Sequence, residues 1–91
     1  MSVYVDNEKH KVGRMEVCHM FADTCGELHG MADSIGIPRR YVQVSRTGII
    51  HYDVCKSKRA LAIELGAKEI DRSGVAILCK RLKAEANSVD K

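Results

Sequence analysis

Apolar and polar residues alternate from Ser2 to Asp6, and the β-forming Val-Tyr-Val at the centre predicts a first strand. The polar stretch from Asn7 to Gly13 reads as a loop. Alternation resumes over Met15 to Phe21 and predicts a second strand. Met15, Val17, His19 and Phe21 would share one face, with Cys18 and Met20 on the other. The period then lengthens. Thr24-Cys25-Gly26-Glu27 fits a capping box, and Leu28, Met31, Ala32 and Ile35 follow at i, i+3, i+4 and i+7, one buried helical stripe. Gly36 ends that helix and Pro38 prevents its resumption.

Tyr41 to Val44 predicts a third strand and Ser45 to Gly48 a turn, while Ile49 to Val54 fits a short strand or an extended loop. A second helix is expected from Lys56 to Leu65, with Leu61 and Leu65 an apolar i, i+4 pair and Gly66 as its stop. Ala67 to Ile70 suits a short final strand. Asp71 or Ser73 would cap a last helix on which Val75, Leu78, Cys79 and Leu82 repeat the stripe. The expected fold is α/β: a single domain over 1–86 with a small, partly parallel sheet of three to four strands packed with three helices. Residues 87–91 are expected to form a frayed tail. In such sheets ligands bind outside the carboxyl ends of the strands.

Composition narrows this picture. A chain of 91 residues has room for one domain, and with no Trp and one Phe its core must be aliphatic. A hydrophobic share of 45% argues against disorder. No stretch approaches the ~18 apolar residues that cross a bilayer, and Asp6, Glu8 and Lys9 interrupt any signal-peptide core. A cytoplasmic, membrane-free protein is expected. Its four cysteines would then remain thiols, and none forms a CxxC pair. Net charge is +3, which helps a phosphate-bearing partner approach but falls short of the basic stripe that duplex binding needs.

Four segments bring polar side chains to predicted junctions: Asp6 with Asn7; His19 and Asp23 with Glu27 and His29; Arg39, Arg40 and Gln43; and His51-Tyr52-Asp53 before Ser57, Lys58 and Arg59. On an extended chain His51 and Asp53 point to one side and Tyr52 to the other. The basic helix start behind them favours an anion. The plainer account has Asp53 capping that helix. His19 and Asp23 straddle a strand end and could form an acid–base pair; the plainer account has Asp23 favouring the helix dipole and His19 half-buried. For a metal, Cys25 and His29 share a helix face, and Cys18, His19, His51, Asp53 and Cys55 would complete a tetrahedral set. Asp6, Asp23 and Asp53 would suit Mg²⁺. No recognised ligand spacing is matched, so no metal is assigned. A helix-turn-helix over 59–83 would place Arg72, Lys80, Arg81 and Lys83 on its last helix, but the strand-like linker 67–70 replaces the tight turn. No serine or cysteine sits in a recognisable nucleophile arrangement.

The combination of Val-Tyr-Val-Asp-Asn (3–7), Cys-His-Met (18–20), Ala-Asp-Thr (22–24), Glu-Leu-His (27–29), Ile-Gly-Ile-Pro-Arg-Arg (35–40), His-Tyr-Asp (51–53), Ser-Lys-Arg-Ala (57–60) and Gly-Ala-Lys-Glu-Ile (66–70) resembles a family of short bacterial and phage proteins, domain of unknown function 4031. The resemblance implies a free-standing domain, often carried by bacteriophages, and implies no activity. The signature residues it implies are Tyr4, Asp6, His19, Asp23, His29, Gln43, His51, Tyr52, Asp53 and Arg59. The sequence departs from that pattern at Cys25, which lowers the zinc reading, and over Val44 to Ile50, where relatives carry a more polar approach.

The leading expectation is a pocket for a small phosphorylated or nucleotide-like ligand. Lys58, Arg59 and the second helix's start would hold phosphate. His19, Asp23, His51 and Asp53 would hold polar groups or do acid–base chemistry, Tyr52 or Tyr41 would stack a ring, and Tyr4, Asp6, His29 and Gln43 would complete the lining. The alternatives are a phage-type module that binds a host protein and a nucleic-acid binder acting through the last helix. Monomer and homodimer stand equal.

Overall fold

Residues Val3–Asp6 form β1, with Val3 and Val5 turned into a core on one side and Tyr4 and Asp6 to the other. A computed structural model of the chain describes residues 2–7, 9–46 and 48–89. The stretch expected to be a loop contains a strand, β2 (His10–Val12), paired antiparallel with β3 (Met15–Ala22). The two-residue connection Gly13-Arg14 explains it. Gly13 sits at φ 63, and a Gly-X pair between extended segments is a hairpin signal. An edge strand paired through its backbone needs no apolar face of its own.

Helix α1 (Cys25–Ser34) starts as its capping box requires: the Glu27 N–H donates to Thr24 Oγ1 at 3.2 Å. The Thr24 hydroxyl in turn donates to Glu27 Oε1 at 3.0 Å. Leu28, Ala32 and Ile35 are buried and Met31 packs beside them. Gly36 takes φ 82, which a side chain would oppose. The strand expected from Tyr41 is shortened to β4 (Gln43–Val44), because Pro38 launches a 3-10 turn at Arg39–Tyr41. That turn is closed by Tyr41 N–H to Pro38 C=O at 3.1 Å. The ambiguous stretch becomes β5 (Ile50–Cys55), with Tyr52 and Val54 fully buried. In α2 (Lys56–Glu64) the buried position is Ala62, whereas Leu61 and Leu65 are 40% and 53% exposed. The small Ala62 side chain lets the helix lie close to the sheet and turns the leucines outward.

Strand β6 (Lys68–Ile70) pairs parallel with β1. Helix α3 (Arg72–Val89) follows, capped by Asp71, whose Oδ1 accepts the Gly74 N–H at 2.8 Å. It runs well into the segment expected to fray, and residues 90–91 lie outside the described residues. The strand order is β4-β5-β3-β1-β6, and β2 shares with β1 one edge of β3. Among the described residues the sheet therefore has six strands rather than three to four, the additions being β2, where a loop was expected, and β5, where strand and loop stood open. The three helices and the partly parallel pairing are as expected.

Helices α1 and α2 cover one face over Val5, Cys18, Met20, Tyr52 and Val54. Helix α3 covers the other, where Leu78 meets Phe21 and Ile49, with Val75, Cys79 and Leu82 alongside. With β6 between them and opposite faces to cover, α2 and α3 form no tight-turn helix pair. Among the described residues no helix is long and apolar enough to cross a membrane.

Candidate functional site

Register assembles the site. Val5 pairs with Met20 and His19 pairs with Asp53 across the neighbouring strands β1, β3 and β5. Asp6, His19 and Asp53 therefore stand in one row near the carboxyl ends of β1 and β5. The next row holds Tyr4, Phe21, His51 and Gln43, through the pairs Tyr4–Phe21 and Gln43–His51. Side-chain alternation sends both rows to the face that α3 covers in part.

Asp6 is the one charged residue buried among the described residues. Burying a carboxylate is costly unless it is paired or hydrogen-bonded, and β3 supplies a hydrogen bond to each oxygen. The His19 backbone N–H donates to Asp6 Oδ1 at 2.8 Å, and His19 Nδ1 lies 2.9 Å from Asp6 Oδ2. A carboxylate can only accept, so Nδ1 carries a hydrogen, and in the neutral ring Nε2 then keeps its lone pair. That Nε2 faces Asp53 Oδ1 at 3.8 Å, beyond hydrogen-bond range. The second Asp53 oxygen accepts from Gln43 Nε2 at 2.8 Å. The His51 ring stands edge-on to His19 with centroids 5.3 Å apart, and its Nδ1 is 3.4 Å from the Ile49 carbonyl. Beside this cluster opens a cleft of about 240 Å³, walled by Asp6, His19, His51 and the apolar Phe21, Val75 and Cys79. Burial pushes the Cys79 thiol up, away from thiolate.

Other predicted site residues lie elsewhere. Tyr52 is fully buried on the opposite face, its hydroxyl 2.6 Å from His29 Nδ1. Burial pushes that phenol up, and no ligand ring can stack on it. Tyr4 and Asp23 meet one row further on, the Tyr4 hydroxyl donating to Asp23 Oδ1 at 3.1 Å. The Ser2 N–H reaches the other oxygen at 2.8 Å, and Arg81 of α3 completes the set. Burial works to raise the Asp23 carboxyl, yet these hydrogen bonds and the Arg81 charge hold it below the ordinary carboxylate value. His19 is thus partnered by Asp6, and Asp23 serves to fasten α3. Arg59 lies behind Asp6: its Nε donates to the Asp6 carbonyl at 2.9 Å and its terminal nitrogen to Glu69 at 3.0 Å. Lys58 reaches toward Gly36 instead of toward the cluster. Cys55 sits at the start of α2, where the Ser57 hydroxyl and then the Lys58 N–H hold its thiol below the usual value.

The cleft walls Phe21, Val75 and Cys79 were not singled out as site residues. In sequence Phe21 reads as a strand position on the His19 face and Val75 and Cys79 as helical stripe positions, and only the docking of α3 brings those two to His19. Neither the curated proteins nor the solved structures contain a significant match to the chain. The family described as protein of unknown function (DUF4031) matches residues 3–84, nearly the whole chain and every residue of the site. The chain belongs to this family.

Proposed function

We propose that this DUF4031 chain binds a small phosphorylated or nucleotide-like ligand over the carboxyl edge of β1 and β5, with His19 as general acid–base in a hydrolytic step. One observation carries the reading. A buried carboxylate holds His19 Nδ1 at 2.9 Å, which turns the Nε2 side of the ring toward Asp53 beside the cleft. A ring so oriented can take a proton from water or a hydroxyl and return it to a leaving group. Asp53, anchored by Gln43, can hold a polar group or orient the attacking water.

The charge pattern supports a phosphate. Net charge is +3, and the first turn of α2 opens at the same sheet edge, where backbone N–H groups favour an anion. Arg59 stands just behind Asp6 and lines a neighbouring hollow with Asn7 and the exposed Glu69, so a phosphate of a ligand that extends past Asp6 can take the place of that carboxylate.

The test is imidazole NMR on protein freed of metal by EDTA, with inorganic phosphate, sugar phosphates and nucleoside mono- and diphosphates added in turn. The His19 and His51 resonances should move while His29, on the opposite face, stays. Asp53→Asn and Arg59→Ala should weaken that response. For any compound that is hydrolysed, His19→Ala should lower turnover by about 10²–10⁴-fold. If no compound in the series moves His19, or both variants respond as the unaltered chain does, the reading fails.

A further inference from the structure

We infer that His19, His51 and Asp53 form a binding site for one divalent transition-metal ion of the zinc class. One ring nitrogen from each histidine and one Asp53 oxygen all lie within 4.8 Å of one another. Donors around a tetrahedral zinc stand about 3.4 Å apart, for bonds of about 2.1 Å. His19 Nε2 and Asp53 Oδ1, at 3.8 Å, are close to that separation already. The remaining separations, within 4.8 Å, are of the size that side-chain rotation on binding would close.

Proximity alone would be weak ground, since polar clusters are common on sheet faces. The outer contacts of the three donors carry the inference further. His19 gives its other nitrogen to the buried Asp6 at 2.9 Å, the carboxylate–histidine arrangement that fixes a ligating ring and raises its basicity. Asp53 has its second oxygen held by Gln43 at 2.8 Å. His51 turns Nδ1 to the Ile49 carbonyl at 3.4 Å, which leaves the lone pair on Nε2. Each donor is thus braced from behind, on strands rather than loops. This also accounts for Asp6, a buried charge that a purely structural face would not need.

Two imidazoles and one carboxylate suit zinc-type ions, whereas Mg²⁺ and Ca²⁺ prefer oxygen donors throughout. Three protein donors leave a position open, as catalytic rather than structural zinc sites do. The adjoining cleft of about 240 Å³ gives that position room for water and substrate, between the apolar Phe21 and Val75. The inference rests on the same site as the proposed function and names an ion that would serve its hydrolytic step by making bound water acidic.

The test is titration of the EDTA-treated full chain with Co²⁺, followed by its visible absorption, and with Zn²⁺, followed by calorimetry. One equivalent should bind, and on Zn²⁺ addition the His19 and His51 imidazole resonances should shift while His29 stays. His51→Ala and Asp53→Ala should each abolish stoichiometric binding, and Gln43→Ala, behind the donors, should weaken it about 10–100-fold. Because the NMR readout uses the unaltered chain, a variant that fails to fold does not decide the matter. A sulfur-to-cobalt charge-transfer band, unchanged binding in both alanine variants, or no binding at all would overturn the inference. Ligand shifts that persist in metal-free protein would then leave the acid–base reading standing; zinc bound without any ligand response would do the reverse.

Discussion

Asp6 and Asp23 lie on one face of the sheet, and their partners give them different work. Asp6 is sealed against His19 and serves the cleft, whereas Asp23 gathers Ser2, Tyr4 and Arg81 and serves stability. Burial of Asp23 opposes its charge, but the hydrogen bonds and Arg81 prevail, so its folded pKa lies below the ordinary 3.8. A carboxyl depressed on folding contributes stability that is fully present above its unfolded value and is lost as pH falls through the folded one. Asp23→Asn should therefore lower the urea midpoint by a constant amount near neutrality, and the gap should shrink as pH drops below about 4. A gap that stays constant down to the acid limb would mean that the carboxylate's charge contributes nothing. At this scale the sequence displayed the polar residues themselves, but not their pairing. His19 is four residues from Asp23 and thirteen from Asp6, and only antiparallel pairing of β1 with β3 makes the distant one its partner.

Among the elements, those governed by local chemistry were legible. The Thr24 cap, the stripe on α1, the stripe on α3 and the strands β1 and β3 follow from neighbours a few residues apart. Elements held by partners were not. Strand β2 stood where a loop was expected and β4 is shorter than its expected span, and the place of both comes from backbone pairing with β3 and β5. On α2 the leucine pair suggested a buried side, and the sheet chose Ala62 instead. The contrast is measurable by urea unfolding. Leu28→Ala, at a position 1% exposed, should cost about 2–5 kcal/mol. Leu61→Ala, on the outward side of α2, should cost about 0.5 kcal/mol or less. Equal losses would place Leu61 in the core and contradict the helix orientation.

In the whole molecule, one sheet with helices on both faces produces a division of labour. The face under α1 and α2 is a closed, largely aliphatic core around Tyr52; the face under α3 is only partly filled, and beside the buried Asp6 it presents the half-buried His19, His51 and Asp53. The rule that ligands bind at the carboxyl ends of strands pointed to this edge from the sequence. It could not separate Tyr52 and His29, which alternation and helix placement send to the opposite side. The central claim is that Asp6 fixes His19 with Nε2 toward Asp53 beside the cleft. It is tested most directly by a long-range ¹H–¹⁵N correlation of the imidazole rings in metal-free protein, recorded where the rings are neutral. The account predicts that His19 carries its hydrogen on Nδ1, the nitrogen bonded to Asp6. A hydrogen on Nε2 would mean that Asp6 does not orient the ring, and both the acid–base role and the metal site would lose their foundation.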